Sequence, residues 1–345
     1  MKFALSPEHQ DFGASIRKLF ESGSTTAAVR AWSSGDPAPG RTLIEQLAAA
    51  GAFGLTITEE FGGLDAEPLD QVVAFVEIGR AAAPGPLAES AAAVPALLQT
   101  LAGTDPEPAR RWLPGISEGT VSATVAFTGR GGRAIAVDAD RVDLVLVADG
   151  DRIGTGRVVG ESVRSVDPAR RLFTVESDEL LAEGPHAAEA VAAAFDAGAL
   201  ANAAQLLGAG KALLDASTDY VKQRKQFGRP IGEFQAVKQK LADVLIGLDL
   251  AEPLLYRAAL TTATTNRARD TSAAAVACAD AAYRAARAAL QVHGAIGYTA
   301  EYDLSLWLTR VTALRTAWGT PDLHRGRIAE ALRAAPAADP AGALT

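Results

Sequence analysis

Residues 222–235 read KQRKQFGRPIGEFQ and decide the fold, because they end one long helix, form a glycine-containing turn and begin the next helix. Apolar residues recur at helical spacing on both sides of this turn and in the segments that follow it. The predicted helices are about 187–223, 233–262, 273–292, 303–314 and one beginning after Pro321. Long amphipathic helices with short joins predict an up-and-down helical bundle over residues 185–334.

The hydrophobic period differs in the segment before this bundle. Four short runs there alternate apolar and polar residues, are rich in β-branched side chains and are separated by Gly- and Asp-rich turns. The runs are 121–127, 134–137, 142–147 and 172–175. This pattern predicts a small, reduced antiparallel β domain over residues 120–184.

The first part of the chain, residues 1–119, is predicted to be a helical domain. Ser6 followed by Pro7 is typical of a helix start, and apolar residues then recur at helical spacing. A further helix is predicted at about 69–80. The Ala- and Pro-rich tail, residues 335–345, is predicted to be frayed.

Composition excludes several classes of function. With 33 basic and 41 acidic side chains the formal net charge is −8, which argues against a nucleic-acid or anionic-membrane partner. The longest uncharged runs are shorter than the roughly 20 apolar residues of a membrane span, and the first residues do not read as a secretory signal. The single cysteine, Cys278, allows neither an internal disulfide nor a cysteine-based metal site. We therefore expect a cytoplasmic protein without a metal.

Three motifs resemble those of the acyl-CoA dehydrogenase family. Residues 222–235 are similar to the family's R-x-x-F-G-x-x-I-x-x-F-Q turn, and 291–298, QVHGAIGY, to its Q-x-x-G-G-x-G-Y turn. Residues 58–63, TEEFGG, resemble a phrase from the family's N-terminal domain. The order of the zones is also the family's. The resemblance implies a mostly helical fold with a small β domain between an N-terminal helical domain and a C-terminal four-helix bundle.

The resemblance also implies FAD as the cofactor. It assigns the surface that holds the ADP half of FAD to Arg224, Gln226, Phe227, Gln291 and Gly294, and it adds Thr320 to the cofactor site. In the family this surface serves the flavin of a neighbouring subunit, which implies an oligomer. Taken alone, Arg224 is more typical of a cation at the C-terminus of its own helix than of a cofactor ligand. Ala295 departs from the family pattern, which has a second glycine there.

The family's reaction is the α,β-dehydrogenation of an acyl-CoA, in which a carboxylate removes the α-proton and a hydride passes to the flavin. The family's base is a Glu in a Y-E-G-T phrase, which corresponds to residues 317–320, AWGT, and places Trp318 at the base position. An indole has no lone pair that could accept the proton. Gly198 falls at the alternative base position. We therefore predict that this chain has no catalytic residue of its own.

The β domain departs from the family pattern as well. Residues 127–133, FTGRGGR, replace the family's flavin-facing loop, and no tryptophan occurs between Trp112 and Trp307. The side of the site that would contact the flavin ring is therefore expected to be reduced, whereas the ADP side is kept.

Three hypotheses follow from the resemblance. The first is a base-less subunit of an α2β2 acyl-CoA dehydrogenase, similar to the short chains of actinobacterial enzymes for steroid side chains, whose longer partner supplies the base. The second is a self-sufficient homo-oligomer with a displaced base, for which Asp196 and Asp322 are the nearest carboxylates in sequence. The third is a non-catalytic acyl-CoA-binding or scaffold protein.

Overall fold

The computed structural model describes residues 4–129, 132–299 and 301–334. The predicted tail at 335–345 lies outside the described residues. The helices before the sheet are α1 (Pro7–Ser22), α2 (Thr25–Ser34), α3 (Ala38–Ala49), α4 (Pro68–Arg80), α5 (Val94–Leu101) and α6 (Glu107–Glu118). The helices after it are α7 (Pro185–Gln223), α8 (Gln235–Leu260), α9 (Arg267–His293), α10 (Leu304–Ala317) and α11 (Pro321–Ala334).

The N-terminal helices begin where local side chains satisfy their free amides. The Ser6 hydroxyl accepts a hydrogen bond from the His9 backbone N–H at 3.3 Å and so caps α1. At the start of α4, Glu67 and Asp70 form a reciprocal capping box, followed by Pro68 at the first helical position. The predicted helix at 69–80 is confirmed within one residue at its start.

Helix α7 is the central helix of the molecule, packed between α4 and α5 on one side and α8 and α9 on the other. It is long and apolar enough to cross a membrane, but 78% of its most apolar window is buried in the fold. Its hydrophobicity therefore reflects its place in the core. Gly79 of α4 and Gly208 of α7 let the two backbones touch, because a Cβ on either residue would overlap a carbonyl group of the facing helix.

The sheet lies between the two helical parts of the chain and has the strand order β1-β3-β4-β5-β2. Its strands are β1 (Ala123–Phe127), β2 (Ala134–Val137), β3 (Leu144–Asp149), β4 (Arg152–Val163) and β5 (Leu172–Glu183). The predicted small β domain is present and its β2–β5, β3–β4 and β4–β5 pairs are antiparallel as expected, but β1 and β3 pair in parallel, with Ala123 opposite Leu144. Strand β2 pairs with β5, and an isolated antiparallel bridge between Thr128 and Ala134 also joins the end of β1 to the start of β2.

The two turns with family motifs lie at one end of the bundle. A two-stranded hairpin, β6 (Lys225–Gln226) and β7 (Arg229–Pro230), follows α7, and a 3₁₀ turn, Gly294–Tyr298, follows α9. Tyr220 of α7 stacks on His293 of α9 with ring centroids 4.2 Å apart. This contact brings the two turns, distant in sequence, next to each other.

Candidate functional site

A cavity of about 490 Å³ lies between the sheet and the C-terminal helices. Its walls come from β1 and β2, from the loop after β4, from α7 and from the end of α10. The side chains that line it include Val125, Phe127, Ile135, Val137, Arg164, Arg170, Phe195, Thr312, Thr316 and Trp318. Its volume is in the range that holds a drug-sized ligand.

Trp318, the residue that the resemblance places at the base position, lines this cavity. The side chain is 5% exposed, and its ring lies 5.6 Å from that of Phe127 and 6.4 Å from that of Phe195, measured between centroids. Gly198 lies directly against the indole, and a Cβ at residue 198 would overlap the indole ring. The two positions that the resemblance assigns to the base are therefore in direct contact, and the indole occupies the space beside Gly198.

The two carboxylates considered as displaced bases do not lie free in the cavity. Asp196 is buried, and its two oxygens accept hydrogen bonds from Arg267 at 2.9 Å and Arg327 at 2.6 Å. The side chain of Asp322 is 93% exposed and pairs with Arg325. Neither residue is among those that line the cavity. The structure therefore gives no support to a base at either position.

The carboxylate that does line the cavity is Glu89, which the sequence analysis missed. It begins a five-residue π-turn, Glu89–Ala93, a rare helix form that is often found at functional sites. The neighbouring Ser90 ties this turn to β1 by exchanging hydrogen bonds with Ala123. Glu89 is the single charged residue between Arg80 and Asp105, and this isolation in an apolar stretch was the signal that could have revealed it.

A network of buried charged side chains lies next to this cavity. Asp167 pairs with Arg310, and the Arg310 guanidinium also donates to the Ala83 carbonyl at 2.7 Å. Arg170 lies 3.9 Å from Glu89. Asp167 and Arg170 are both buried, although they lie in the loop between β4 and β5.

Asp138 is a further member of the charged region beside the sheet. It is fully buried and accepts a hydrogen bond from the Trp32 indole N–H at 3.0 Å, while its second oxygen has no partner among the described residues. Burial raises the pKa of this carboxyl to about 7. Burial also raises the pKa of Glu89, partly offset by the nearby arginines.

A second concave surface, a groove of about 900 Å³, runs between α8 and α9 and contains two of the expected cofactor residues, Gln291 and Gly294. Lys240, Arg284 and Arg287 also line it, and none of these three cations pairs with an acidic side chain in the described part of the chain. Gly294 has a φ of +65°, and the space around its Cα is open. The three cations make the groove basic and suited to an anion.

The hairpin carries Arg224, Gln226 and Phe227 but does not line this groove. Arg224 ends α7, and its guanidinium makes no hydrogen bond or ion pair with described residues, so a capping role for this side chain is not seen. Phe227 and Gly228 form the two-residue turn, and both have positive φ. The Phe227 side chain is 91% exposed. A large aromatic residue held in this strained and exposed position points to a surface that another molecule covers.

The remaining predicted residues have structural explanations. Thr320 lies apart from the groove, where its hydroxyl accepts from the Leu323 amide at 3.2 Å and caps α11, so its place in the cofactor site stays a prediction. Cys278 is fully buried and burial raises the pKa of its thiol to about 12, as expected of a small apolar side chain. Within the described residues no cluster of side chains could hold a metal ion. Part of the segment 127–133, residues 130 and 131, lies outside the described residues.

Comparisons with known proteins agree with this architecture. The profile of the acyl-CoA dehydrogenase N-terminal domain matches residues 6–120, and that of the C-terminal domain matches residues 188–333. The chain is 31% identical to acyl-CoA dehydrogenase IpdE2 of Mycolicibacterium smegmatis, over 92% of this chain and 96% of that protein.

Solved structures give the same result for the fold. A chain of the ChsE4–ChsE5 complex of Mycobacterium tuberculosis superposes with a TM-score of 0.82 at 24% identity, covering 98% of this chain and 100% of that one. A glutaryl-CoA dehydrogenase of Mycobacterium smegmatis in complex with FADH2 gives a TM-score of 0.79 at 17% identity, with 95% of each chain covered. FAD, the expected cofactor, is the cofactor of this family. The chain thus belongs to the acyl-CoA dehydrogenase family.

Proposed function

We propose that this chain is the base-less subunit of a hetero-oligomeric, FAD-dependent acyl-CoA dehydrogenase. It contributes the surface for the ADP half of FAD, and a longer partner subunit contributes the catalytic Glu. The contact between Trp318 and Gly198 carries this proposal, because a single buried indole lies against both positions that the resemblance assigns to the base. Proton abstraction from the acyl group therefore needs a carboxylate that this chain does not place there.

The donor set of the groove supports the cofactor part of the proposal. Lys240, Arg284 and Arg287 offer three cations without an acidic partner among the described residues, against the single carboxylate of Asp243 in the groove lining, and the backbone at Gly294 is open to close approach. Such a set suits a pyrophosphate, for which Arg supplies two parallel N–H donors. When bound, FAD supplies the hydride acceptor of the reaction. The role of this chain's residues is to hold the ADP end and to orient it toward the partner.

An apolar stripe beside the groove supports the presence of a partner subunit. Ile246, Leu250 and Leu254 recur every four residues along α8, and all three are exposed, Leu250 to 69%. Phe227 on the hairpin and Tyr298 beside Gly294 add two exposed aromatic side chains at the bundle end. An exposed patch of this kind next to a basic groove is suited to an obligate interface that also encloses a cofactor. We assign this surface to the second acyl-CoA dehydrogenase chain.

Co-expression tests the proposal. The chain is purified alone and together with a longer acyl-CoA dehydrogenase that carries the Y-E-G-T phrase and is encoded next to it. We expect a colourless chain on its own and a yellow complex that reduces an artificial electron acceptor with an acyl-CoA. A chain that is yellow and turns over acyl-CoA by itself would overturn the proposal, and a chain that stays colourless with every such partner would favour a scaffold role.

A further inference from the structure

A smaller cavity, of about 260 Å³, lies between the N-terminal helices and the sheet. It is enclosed by α2, by α3, by the loop that follows α6 and by the loop before β3. No described residue lines both this cavity and either the cavity at Trp318 or the basic groove. It is located where the parallel strands β1 and β3 begin, whereas the cavity at Trp318 includes Phe127 at the end of β1.

Arg141 brings a buried positive charge to this cavity without a hydrogen-bonded anion. Its side chain is 6% exposed, and its guanidinium lies over the Trp32 ring, 4.9 Å from the centroid. It donates to the carbonyls of Trp32 at 3.3 Å and Gly35 at 3.0 Å, which are neutral acceptors. Its Nε atom lies 4.0 Å from Asp140, too far for a hydrogen bond, and is not fully enclosed by protein. Buried arginines are normally paired, so this guanidinium retains donors for an anion in the cavity.

Arg41 of α3 adds a second cation to the lining of the cavity. Its guanidinium makes no hydrogen bond or ion pair with the described residues. Burial lowers the pKa of Arg141, and the positive charges of Arg171 and Arg41 lower it further. Arg171 is itself paired with Asp140 at 2.8 Å, so Arg41 and Arg141 are the two cations that remain for a ligand. Two guanidinium groups suit a phosphate, which accepts parallel N–H donors.

Two carboxylates, Glu45 and Asp143, also line the cavity, and they favour a ligand that carries hydroxyl groups as well. Ser122 donates its amide at 2.8 Å and its hydroxyl at 2.9 Å to one oxygen of Asp143, Oδ2. Neither carboxylate forms an ion pair with the described residues. Both therefore keep acceptor capacity, which a hydroxyl donor satisfies and a bare anion does not.

We propose that this cavity binds a small phosphorylated polyol, whose phosphate contacts Arg41 and Arg141 and whose hydroxyls donate to Glu45 and Asp143. The volume of about 260 Å³ is below the range of drug-sized ligands and suits a short carbon chain. Such a ligand would join α3 to the loop before β3. The proposal is independent of the flavin surface and of the partner subunit.

Calorimetry with the full chain tests the site, with glycerol 3-phosphate, inorganic phosphate and glycerol as probes. We expect glycerol 3-phosphate to bind at one site, inorganic phosphate to bind more weakly and glycerol not to bind. Arg41→Gln should weaken the binding of glycerol 3-phosphate about tenfold, because a hydrogen bond between charged groups is lost. Arg333→Gln is the matched control: this arginine at the end of α11 is also exposed and unpaired within the described residues. It changes the net charge equally and should leave the binding unchanged.

Glu45→Ala tests the hydroxyl contacts separately. Glu45 is exposed on α3, so the variant should fold. Inorganic phosphate should bind more tightly to it, because a negative charge is removed, while the preference for glycerol 3-phosphate over phosphate should fall about tenfold. The proposal is wrong if glycerol 3-phosphate shows no saturable binding, or if its affinity is the same in Arg41→Gln as in the wild type, which would place it elsewhere. Equal losses in Arg41→Gln and Arg333→Gln, or an unchanged preference in Glu45→Ala, would also overturn it.

Discussion

At the scale of single residues, Trp318 determines what the cavity beside the sheet can hold. Its indole contacts Phe127 and Phe195, and its backbone carbonyl accepts a hydrogen bond from His324 at 2.8 Å. The side chain therefore belongs to the core as much as to the site. A substitution at Trp318 changes stability and the shape of the cavity together.

The substitution Trp318→Glu tests this double role. We expect the free energy of unfolding to fall by at least about 3 kcal/mol, because the indole leaves a cavity and the new carboxylate is buried without a partner. No dehydrogenase activity should appear in the chain alone. Thermal unfolding of Trp318→Glu is compared with that of Trp112→Glu, a half-buried tryptophan of α6, for which a smaller loss is expected. An unchanged melting curve for Trp318→Glu would contradict the interpretation.

A second prediction at the residue scale concerns Asp138: the stability of the fold should depend on pH because this buried carboxyl titrates. The pKa of its carboxyl is 3.8 in the unfolded chain and about 7 in the fold, so the folded state binds the proton more tightly. The resulting stabilisation is complete below about pH 4 and is lost as the pH rises to 7, by about 4 kcal/mol.

The variant Asp138→Asn should remove this slope. An amide can still accept the Trp32 hydrogen bond, and asparagine tolerates the φ of +50° at residue 138. Urea unfolding of both proteins from pH 4 to pH 8 gives the difference. Burial lowers the pKa of His293 and His324 and destabilises the fold at acidic pH, but equally in both proteins. A difference that does not change with pH would rule out Asp138 as the titrating group.

At the scale of elements, the crossing of α4 and α7 sets the position of the bundle relative to the N-terminal helices. Gly208→Ala places a methyl group against the Val76 carbonyl of α4, so the helices must separate. We expect a loss of about 1–3 kcal/mol, as for overpacked cores. Gly326→Ala in α11 is the matched control, because nothing lies near its Cα. It should be neutral or stabilising by up to about 1 kcal/mol, since alanine favours helix. Equal melting temperatures for the two variants would contradict the close crossing.

Some secondary-structure elements could be predicted from the sequence alone and others could not. Helices of the bundle were predictable because each has a long apolar stripe with a turn at its end. The parallel pairing of β1 with β3 was not, because alternation identifies a strand but not its neighbour. Strand β4 was missed since its residues, RIGTGRVVGESV, are rich in glycine and charge and alternate poorly. Only part of the basic groove was predicted from the sequence. Gln291 and Gly294 were identified by a sequence motif, whereas Arg284 and Arg287 were recognised as groove residues only from the packing of α8 against α9.

At the scale of the whole molecule, the proposed cofactor surface lies at the end of the bundle, on the side assigned to the proposed partner subunit. Arg224→Ala is expected to weaken FAD binding by the complex about ten- to a hundredfold, since it removes hydrogen bonds to a charged group. The stability of the isolated chain should hardly change, because the guanidinium has no partner within the described residues.

The flavin content of the purified complex is the measurement. Arg152→Ala is the control: this exposed arginine of β4 pairs with Glu183, and its loss should leave the flavin content unchanged. Full flavin occupancy in the Arg224→Ala complex, with a lower melting temperature of the chain, would contradict a cofactor role for Arg224. It would instead indicate that Arg224 stabilises the C-terminus of α7.

The contact between Gly198 and Trp318 also constrains the mutational paths open to this chain. A carboxylate introduced at residue 198 meets the indole, so this reversion is blocked while the tryptophan is present. Shortening Trp318 first opens an unfilled space and lowers stability before any catalytic gain appears. The two positions are therefore epistatic: a catalytic side chain can return only by simultaneous change or through an unstable intermediate. Under the proposed function, such coupling would make dependence on a second subunit hard to reverse.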